Sequence, residues 1–330
     1  MYLNLEGDWT VTLTTKEGTQ KGKVSLPGII QAQGYGEKIT KQTPWVSSLH
    51  DAEWWEREEY RYAQEDGCRI PFLSQPPRHF LGKVLYEREI EIKEEDSDTW
   101  YLYIEVTHWR TKVSVDGMQT GEDCSVCTAH RLDCGRLTRG IHTIQVEVDN
   151  SMQYPYRPDG HGVSDALGAT WNGMAGEIAL FTQDVWEKRI RDRKQYAKEH
   201  IRRIRIENGR FIVDGRKEYF RGTHFGGEYP LTGYPVTDKA WWRDKFAIMK
   251  KWGLNFMRCH SYCPPEAAFA AADEMGIYLQ PECGMWNHFE ENIPMLDVLK
   301  EETRRILEQF GHHPSFVLFS PTNEPSGNWY

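Results

Sequence analysis

Residues 253–282 read GLNFMRCHSYCPPEAAFAAADEMGIYLQPE. Asn255 to His260 has the character of a short strand, and so does Tyr278 to Glu282. Between them Pro264 to Met275 reads as a helix, with Pro264 and Pro265 in an opening turn that tolerates a missing N–H. The alternation continues outward on both sides. Upstream, Tyr219 to Phe225 reads as a strand and Asp238 to Trp252 as an amphipathic helix with an acidic start. Downstream, Leu296 to Phe310 reads as a helix closed by Gly311. Phe316 to Ser320 is an apolar strand running into Pro321-Thr322-Asn323-Glu324-Pro325. Four β/α steps predict a parallel sheet with helices outside, either doubly wound or a (β/α)8 barrel. No G-x-G-x-x-G follows the first strand and no G-x-x-x-x-G-K-[ST] occurs, which disfavours nucleotide-binding versions.

Before this region the periodicity changes. Residues 1 to about 185 read as β structure, with alternating runs at Trp9–Leu13, Trp100–Val106, Lys112–Val115 and Thr143–Asp149. Leu26-Pro27-Gly28, Asp116-Gly117 and Arg139-Gly140 punctuate them as turns. No long helical pattern intervenes, so a two-sheet sandwich or jelly roll is expected. Residues 186–205 carry a dense charge run, Glu187 to Lys194, which reads as a solvated connector or short helix. A hairpin follows, Arg205–Glu207 and Arg210–Val213 around Asn208-Gly209. The expected order is a β domain over 1–185, a charged connector over 186–205 and a β/α domain over 206–330.

The 330 residues suit two domains. Forty basic against 49 acidic side chains, a net charge of −9, provide no field toward phosphates, so neither nucleic acid nor an anionic membrane is an expected partner. No transmembrane run occurs. The N-terminus, MYLNLEGDWTVTL, enters a strand pattern without a signal peptide. A cytoplasmic location is expected, or a periplasmic or secreted one if an export signal was removed. Thirteen Trp, 16 Tyr and 13 Phe fit β-sandwich cores and sugar-stacking platforms. There are seven cysteines; Cys124, Cys127 and Cys134 with His130 begin like a zinc knuckle, but no second pair follows at metal spacing. Reduced thiols on strands are the expected state, and no metal ligand set or cofactor is assigned.

Polar residues at the C-terminal ends of barrel strands face an active site. Here those are His224, then Arg258 and His260, then Glu282, then Asn323 and Glu324. Trp286 and Trp329 lie just past strand ends, where a sugar ring could stack on them. As a set they suit general acid/base work on a neutral polyhydroxylated substrate. Each has a plainer reading: a structural histidine, a rim-plugging tryptophan, and Glu282 as the ion-pair partner of Arg258.

At these residues the sequence resembles glycoside hydrolase family 2, the β-galactosidase, β-glucuronidase and β-mannosidase group. Leu5-Glu6-Gly7-Asp8-Trp9, Leu26-Pro27-Gly28, Tyr86-Glu87-Arg88, Val113 to Gly117 and Trp171 to Gly176 resemble that family's sugar-binding jelly roll. Asn208 to Phe211, Arg221 to His224, Gly253 to His260 and Ala272 to Tyr278 resemble its barrel entry. Pro321-Thr322-Asn323-Glu324-Pro325 resembles its Asn-Glu signature on the fourth barrel strand. The resemblance implies retaining hydrolysis of a terminal β-linked sugar without an organic cofactor. Glu324 would be the general acid/base, Asn323 would hold the sugar 2-hydroxyl and Arg258 would orient the nucleophile. His224, His260, Glu282 and Trp286 would complete the sugar site, His260 falling slightly earlier after the arginine than the family pattern has it. Two departures stand beside this. The family's nucleophile is a glutamate on a seventh barrel strand, which no Glu here matches. The immunoglobulin-like domain between jelly roll and barrel is replaced by the charged connector. The chain therefore reads as the first half of a barrel behind a jelly roll, truncated and inactive alone. A non-catalytic carbohydrate-binding protein is the alternative, and self-association through the incomplete barrel a third expectation.

Overall fold

The computed structural model describes residues 1–40, 43, 77–94, 98–154, 156, 170–284, 288–289 and 294–327. They fall into two compact units, Met1–Trp186 with Glu228–Pro235, and Glu187–Gly227 with Val236–Tyr330.

The first unit is built of antiparallel strands. These are β1 (Tyr2–Asn4), β2 (Gly7–Thr15), β3 (Gly18–Leu26), β4 (Gly28–Ile29), β5 (Glu37–Lys38), β6 (Arg78–His79), β7 (Lys83–Ile92), β8 (Trp100–Thr107), β9 (Arg110–Val115), β10 (Met118–Cys124), β11 (His130–Gly135), β12 (Gly140–Asp149) and β13 (Gly173–Thr182). One sheet runs β10-β9-β12-β7-β2-β3; the other runs β1-β13-β8-β11 with β4 added to β13. Alternation decides what each face touches. Trp9, Val11, Leu13, Val84, Tyr86, Val113, Ile144 and Val146 from the first sheet share one core with Trp100, Leu102, Ile104, Leu132, Met174, Ile178 and Leu180 from the second. The Asp116-Gly117 turn between β9 and β10 has both residues at positive φ, 51° and 83°, the primed geometry that a tight hairpin needs.

One buried polar group ties this core together. Asn172 is fully buried, and its Oδ1 accepts from Tyr86 Oη at 2.9 Å while Nδ2 donates to the Val148 carbonyl at 2.9 Å. The neighbouring Gly173 runs so close to β4 that a Cβ there would lie 2.2 Å from the Gly28 carbonyl oxygen. Burial pushes the Tyr86 hydroxyl well above its ordinary pKa, so it stays a proton donor to Asn172. Much of the aromatic excess is core: Trp9, Trp100, Trp109 and Trp171 are all buried, with Trp109 against Tyr154 and Tyr156. None of these four offers an open face for a sugar.

The charge run is a helix, α1 (Gln183–His200), with no buried residue. Its first turn brings Trp186 flat onto Phe181, ring centroids 6.0 Å apart. In the second unit β14 (Ile204–Glu207) and β15 (Arg210–Val213) pair around Asn208-Gly209, and β16 (Arg216–Glu218) extends that sheet. Then β17 (Gly222–Phe225), α2 (Lys239–Lys251), β18 (Phe256–Cys259), α3 (Glu266–Met275), β19 (Tyr278–Gln280) and α4 (Pro294–Phe310) alternate. The three strands are parallel and adjacent in sequence order. Asp238 caps α2 by accepting from the Ala240 N–H at 2.8 Å, and Gly276 closes α3 in the left-handed region. Phe269 of α3 stacks on Phe310 of α4 at 4.6 Å.

The fourth strand expected at Phe316–Ser320 does not form as a continuous ladder. Two isolated parallel bridges, Leu279 to Phe316 and Glu282 to Ser320, take its place. Pro281 separates the two bridges on the partner side and has no N–H to donate, so the pairing breaks between them. The path is kept nonetheless, because Val317 N donates to Leu279 O at 3.1 Å and Ser320 N to Pro281 O at 3.2 Å.

Replacing Asn172 by Ala leaves the buried Tyr86 hydroxyl and the Val148 carbonyl without their partner. The expected loss is about 2 kcal/mol of unfolding free energy, measured by urea denaturation. An unchanged midpoint would show that water replaces the amide.

Candidate functional site

Parallel pairing places His224 beside Arg258 and Arg258 beside Gln280, three side chains in a row across β17, β18 and β19. Two residues past Gln280, Glu282 points to the same face by the two-residue period. Its side chain is 1% exposed, and it accepts four hydrogen bonds. Oε1 takes Arg258 Nε at 2.6 Å and Gln280 Nε2 at 3.2 Å; Oε2 takes Arg258 Nη2 at 3.2 Å and the Ser261 N–H at 2.9 Å. A carboxylate drawn out of water needs that degree of satisfaction to be tolerated. Ser261 holds φ at 57°, a conformation uncommon for a residue with a side chain, and this turns its N–H onto Glu282.

Arg258 reaches further. Nη2 also donates to Asn323 Oδ1, so the guanidinium links the end of β19 to the Asn323-Glu324 segment. An arginine can only donate, which fixes the amide: Oδ1 faces Arg258 and Nδ2 faces away. Asn323 Nδ2 is buried and has no hydrogen-bond partner. Glu324 is exposed and sits at φ 45°, again in the left-handed region. The hydrogen bond to Glu282 raises the Arg258 pKa above its ordinary value, and the charges of Glu282 and Glu324 add to that rise. About a third of the Arg258 side chain, 36%, remains accessible. Thr322 braces the segment by donating from Oγ1 to the Gly284 carbonyl at 2.7 Å.

His260 lies beside this cluster, its Nδ1 3.0 Å from Ser261 Oγ and its ring 5.7 Å from that of His224, which is exposed. Of the residues singled out from sequence, the structure thus brings Arg258, Glu282 and Asn323 into one bonded network, places Glu324 within electrostatic reach of Arg258, and pairs His224 with His260 nearby. The ion-pair reading of Glu282 is the one the geometry displays. Trp286 and Trp329 lie outside the described residues. Gln280 and Ser261 had not been singled out. Gln280 was findable from its spacing, two residues before Glu282 on one face; Ser261 contributes a backbone N–H, which no side-chain pattern announces.

The cysteines do not assemble with His130 as ligands. His130 is buried with Nδ1 2.7 Å from Thr111 Oγ1 and Nε2 3.3 Å from the Ser125 carbonyl. Among the described residues, the side chains whose ligand atoms converge as a metal would require are Glu266, His312 and His313.

The parallel β/α segment thus carries Arg258 at the end of its middle strand and Asn323 and Glu324 beside it, at the strand ends where a β/α fold places a site. Residues 204–330 match the family model for the TIM barrel domain of glycosyl hydrolases family 2. Over these residues the chain is similar to glycoside hydrolase family 2. A beta-galactosidase of Lactococcus lactis subsp. lactis (strain IL1403) is 27% identical over 176 residues, 46% of this chain and 18% of the relative. A GH2 beta-galacturonidase from Eisenbergiella tayi bound to glycerol superposes with a TM-score of 0.64 at 14% identity, over 98% of this chain and 65% of that one. A beta-glucuronidase from Ruminococcus gnavus gives 0.68 at 14% identity, over 99% and 67%. The two structural likenesses are of fold. The 330 residues span about two thirds of these structures and under a fifth of the curated relative.

Glu282→Gln keeps the side-chain volume but sets an amide N–H2 against donors, leaving Arg258 without its counter-charge. The expected loss is about 3 kcal/mol in the unfolding free energy. Urea denaturation followed by tryptophan fluorescence reads it; a change within about 0.5 kcal/mol, the usual surface value, would refute the pair's structural role.

Proposed function

We propose that the protein acts on glycosides as a family 2 β-glycosidase, and that Glu324, Asn323 and Arg258 form the acid/base side of its site. The observation that carries this reading is Asn323 Nδ2, a buried amide donor without a partner in a segment whose other amide atom is held by Arg258. A buried donor left unsatisfied is costly, and a sugar hydroxyl oxygen is the acceptor that relieves it. Glu324, next along the chain and exposed, then stands where it can protonate a leaving glycosidic oxygen. A hydroxyl contact of this kind strengthens as positive charge develops at the anomeric carbon.

In this reading Arg258 is a hub. Glu282 holds it from behind, and its accessible third faces the substrate or a second carboxylate. Retention of configuration calls for a nucleophilic carboxylate about 5–5.5 Å from the acid. Glu282 does not serve, because all four of its contacts are donors that hold it in place. The described residues supply the acid/base side of the pair, and none of them is assigned as its nucleophile. The first unit, with its two facing antiparallel sheets, corresponds to the family's jelly roll, and residues 206–330 to the first half of the barrel. The burial of Trp9, Trp100, Trp109 and Trp171 speaks against a sandwich that grips sugar on these rings.

With the 330-residue chain, aryl β-galactosides and β-glucuronides are expected to bind weakly and to be hydrolysed at a negligible rate. Ligand-observed NMR should show binding reduced at least about tenfold by Asn323→Ala, the effect of losing one hydrogen bond to a buried donor. Binding indifferent to Asn323→Ala would move the sugar site elsewhere. Robust turnover abolished by Glu324→Gln would show that a carboxylate within these residues is the nucleophile.

A further inference from the structure

Away from the Arg258 network, and sharing no residue with it, lies a second polar cluster. Glu266 opens α3, Asp273 lies near its end, and His312 and His313 follow α4. His313 is 5% exposed and bridges the two acids, with Nδ1 2.6 Å from Asp273 Oδ2 and Nε2 2.7 Å from Glu266 Oε1. Asp273 is fixed in turn by the Ser315 N–H at 2.9 Å and the Tyr196 hydroxyl at 3.1 Å.

An ion-pair bolt accounts for His313 and Asp273 but not for the rest. His312 is 12% exposed, its ring centroid only 4.0 Å from that of His313. Its Nδ1 is buried without a hydrogen-bond partner, and its Nε2 stops 3.7 Å from Glu266 Oε1, too far to bond. Glu266 Oε2 is also buried without a hydrogen bond, with only the Arg193 guanidinium near it at 3.7 Å. Two imidazoles packed this closely cannot both carry charge cheaply. His312 thus presents unbonded ring nitrogens in a crowded, polar and incompletely bonded pocket.

We propose that Glu266, His312 and His313 bind one borderline divalent cation, with zinc the best match to two imidazole nitrogens and one carboxylate oxygen. One ligand atom from each of the three residues comes within 4.8 Å of the others, before any adjustment around an ion. Two nitrogen ligands exclude the oxygen-seeking cations magnesium and calcium as the natural occupant. The outer contacts match what zinc sites require. The ring nitrogen of His313 that faces away from the cluster donates to Asp273, the carboxylate–imidazole arrangement that orients a ligand and increases its basicity. Three protein ligands leave a fourth position for water. On binding, the proton that His313 Nε2 shares with Glu266 Oε1 leaves to solvent, and the metal replaces it between the same two atoms. The ion would join the start of α3 to the turn that leads into Ser315 and Phe316, and so brace the approach to the Asn323-Glu324 segment.

The test is calorimetric titration of zinc into the whole 330-residue chain after dialysis against chelator. The expected result is one equivalent bound with a Kd at or below about 1 μM, lost in His312→Ala and retained in the double variant Cys124→Ser/Cys127→Ser. His312 takes no part in the His313–Asp273 pair, so that variant should fold, as circular dichroism will show. Should it not, X-ray absorption at the zinc edge decides on the unmutated chain. A nitrogen/oxygen shell at about 2.0 Å with imidazole scattering supports the site, and sulfur at about 2.3 Å refutes it in favour of the cysteines. No binding, or binding untouched by His312→Ala, also overturns it.

Discussion

A carboxylate held out of water dominates the second unit. Glu282 is tolerated in the interior because four donors converge on it, and three different parts of the chain must be in place for them to do so. Arg258 comes from β18, Gln280 from β19, and the Ser261 N–H from the turn after β18. Satisfying the carboxylate thus fixes the relative height of two parallel strands and the path of the turn between β18 and α3. The same arginine then holds Asn323, so the segment that carries Glu324 inherits its position from the buried pair. Disturbing Glu282 would be felt at Glu324 without any contact between them being needed.

The first unit solves a different problem. Its two sheets exchange apolar side chains across one core, and a single buried amide, Asn172, links the loop before β13 to β7 and β12. Burial without full pairing is what is expensive, so polar groups inside this protein arrive in bonded sets. Several buried atoms remain unbonded, Gln31 Nε2 and Trp100 Nε1 in the first unit among them, and two sets of them fall at the proposed sites. Asn323 Nδ2 is one, in the proposed sugar site; the unbonded atoms of His312 and Glu266 are another.

Much of this was legible in order but not in contact. The period-two runs at Trp9–Leu13, Trp100–Val106 and Thr143–Asp149 lie inside strands, since a half-buried strand imposes alternation locally. Asp238, Asn208-Gly209 and Gly276 act through their own backbone neighbourhoods and sit at the helix start, hairpin turn and helix end that their chemistry favours. The apolar run Phe316–Ser320 was less informative. Its pairing depended on Pro281 of the neighbouring segment, and one strand's sequence does not say what its partner can donate. Adjacent His312 and His313 carried no visible signal, because Glu266 lies on another helix and only packing of α3 against the turn after α4 brings it near.

The sequence by itself determined the succession of elements, the turn types and which polar residues end which strands. Those properties follow from backbone geometry and side-chain periodicity, which act over a few residues. Only the tertiary structure decided that Glu282 would spend its oxygens on Arg258, that Asn323 would be left with an amide to offer, and that two histidines would meet a glutamate. Each depends on the register between parallel strands or the seating of one helix on another. Burial and hydrogen-bond satisfaction settle those distances over the whole unit, and no local spacing records them.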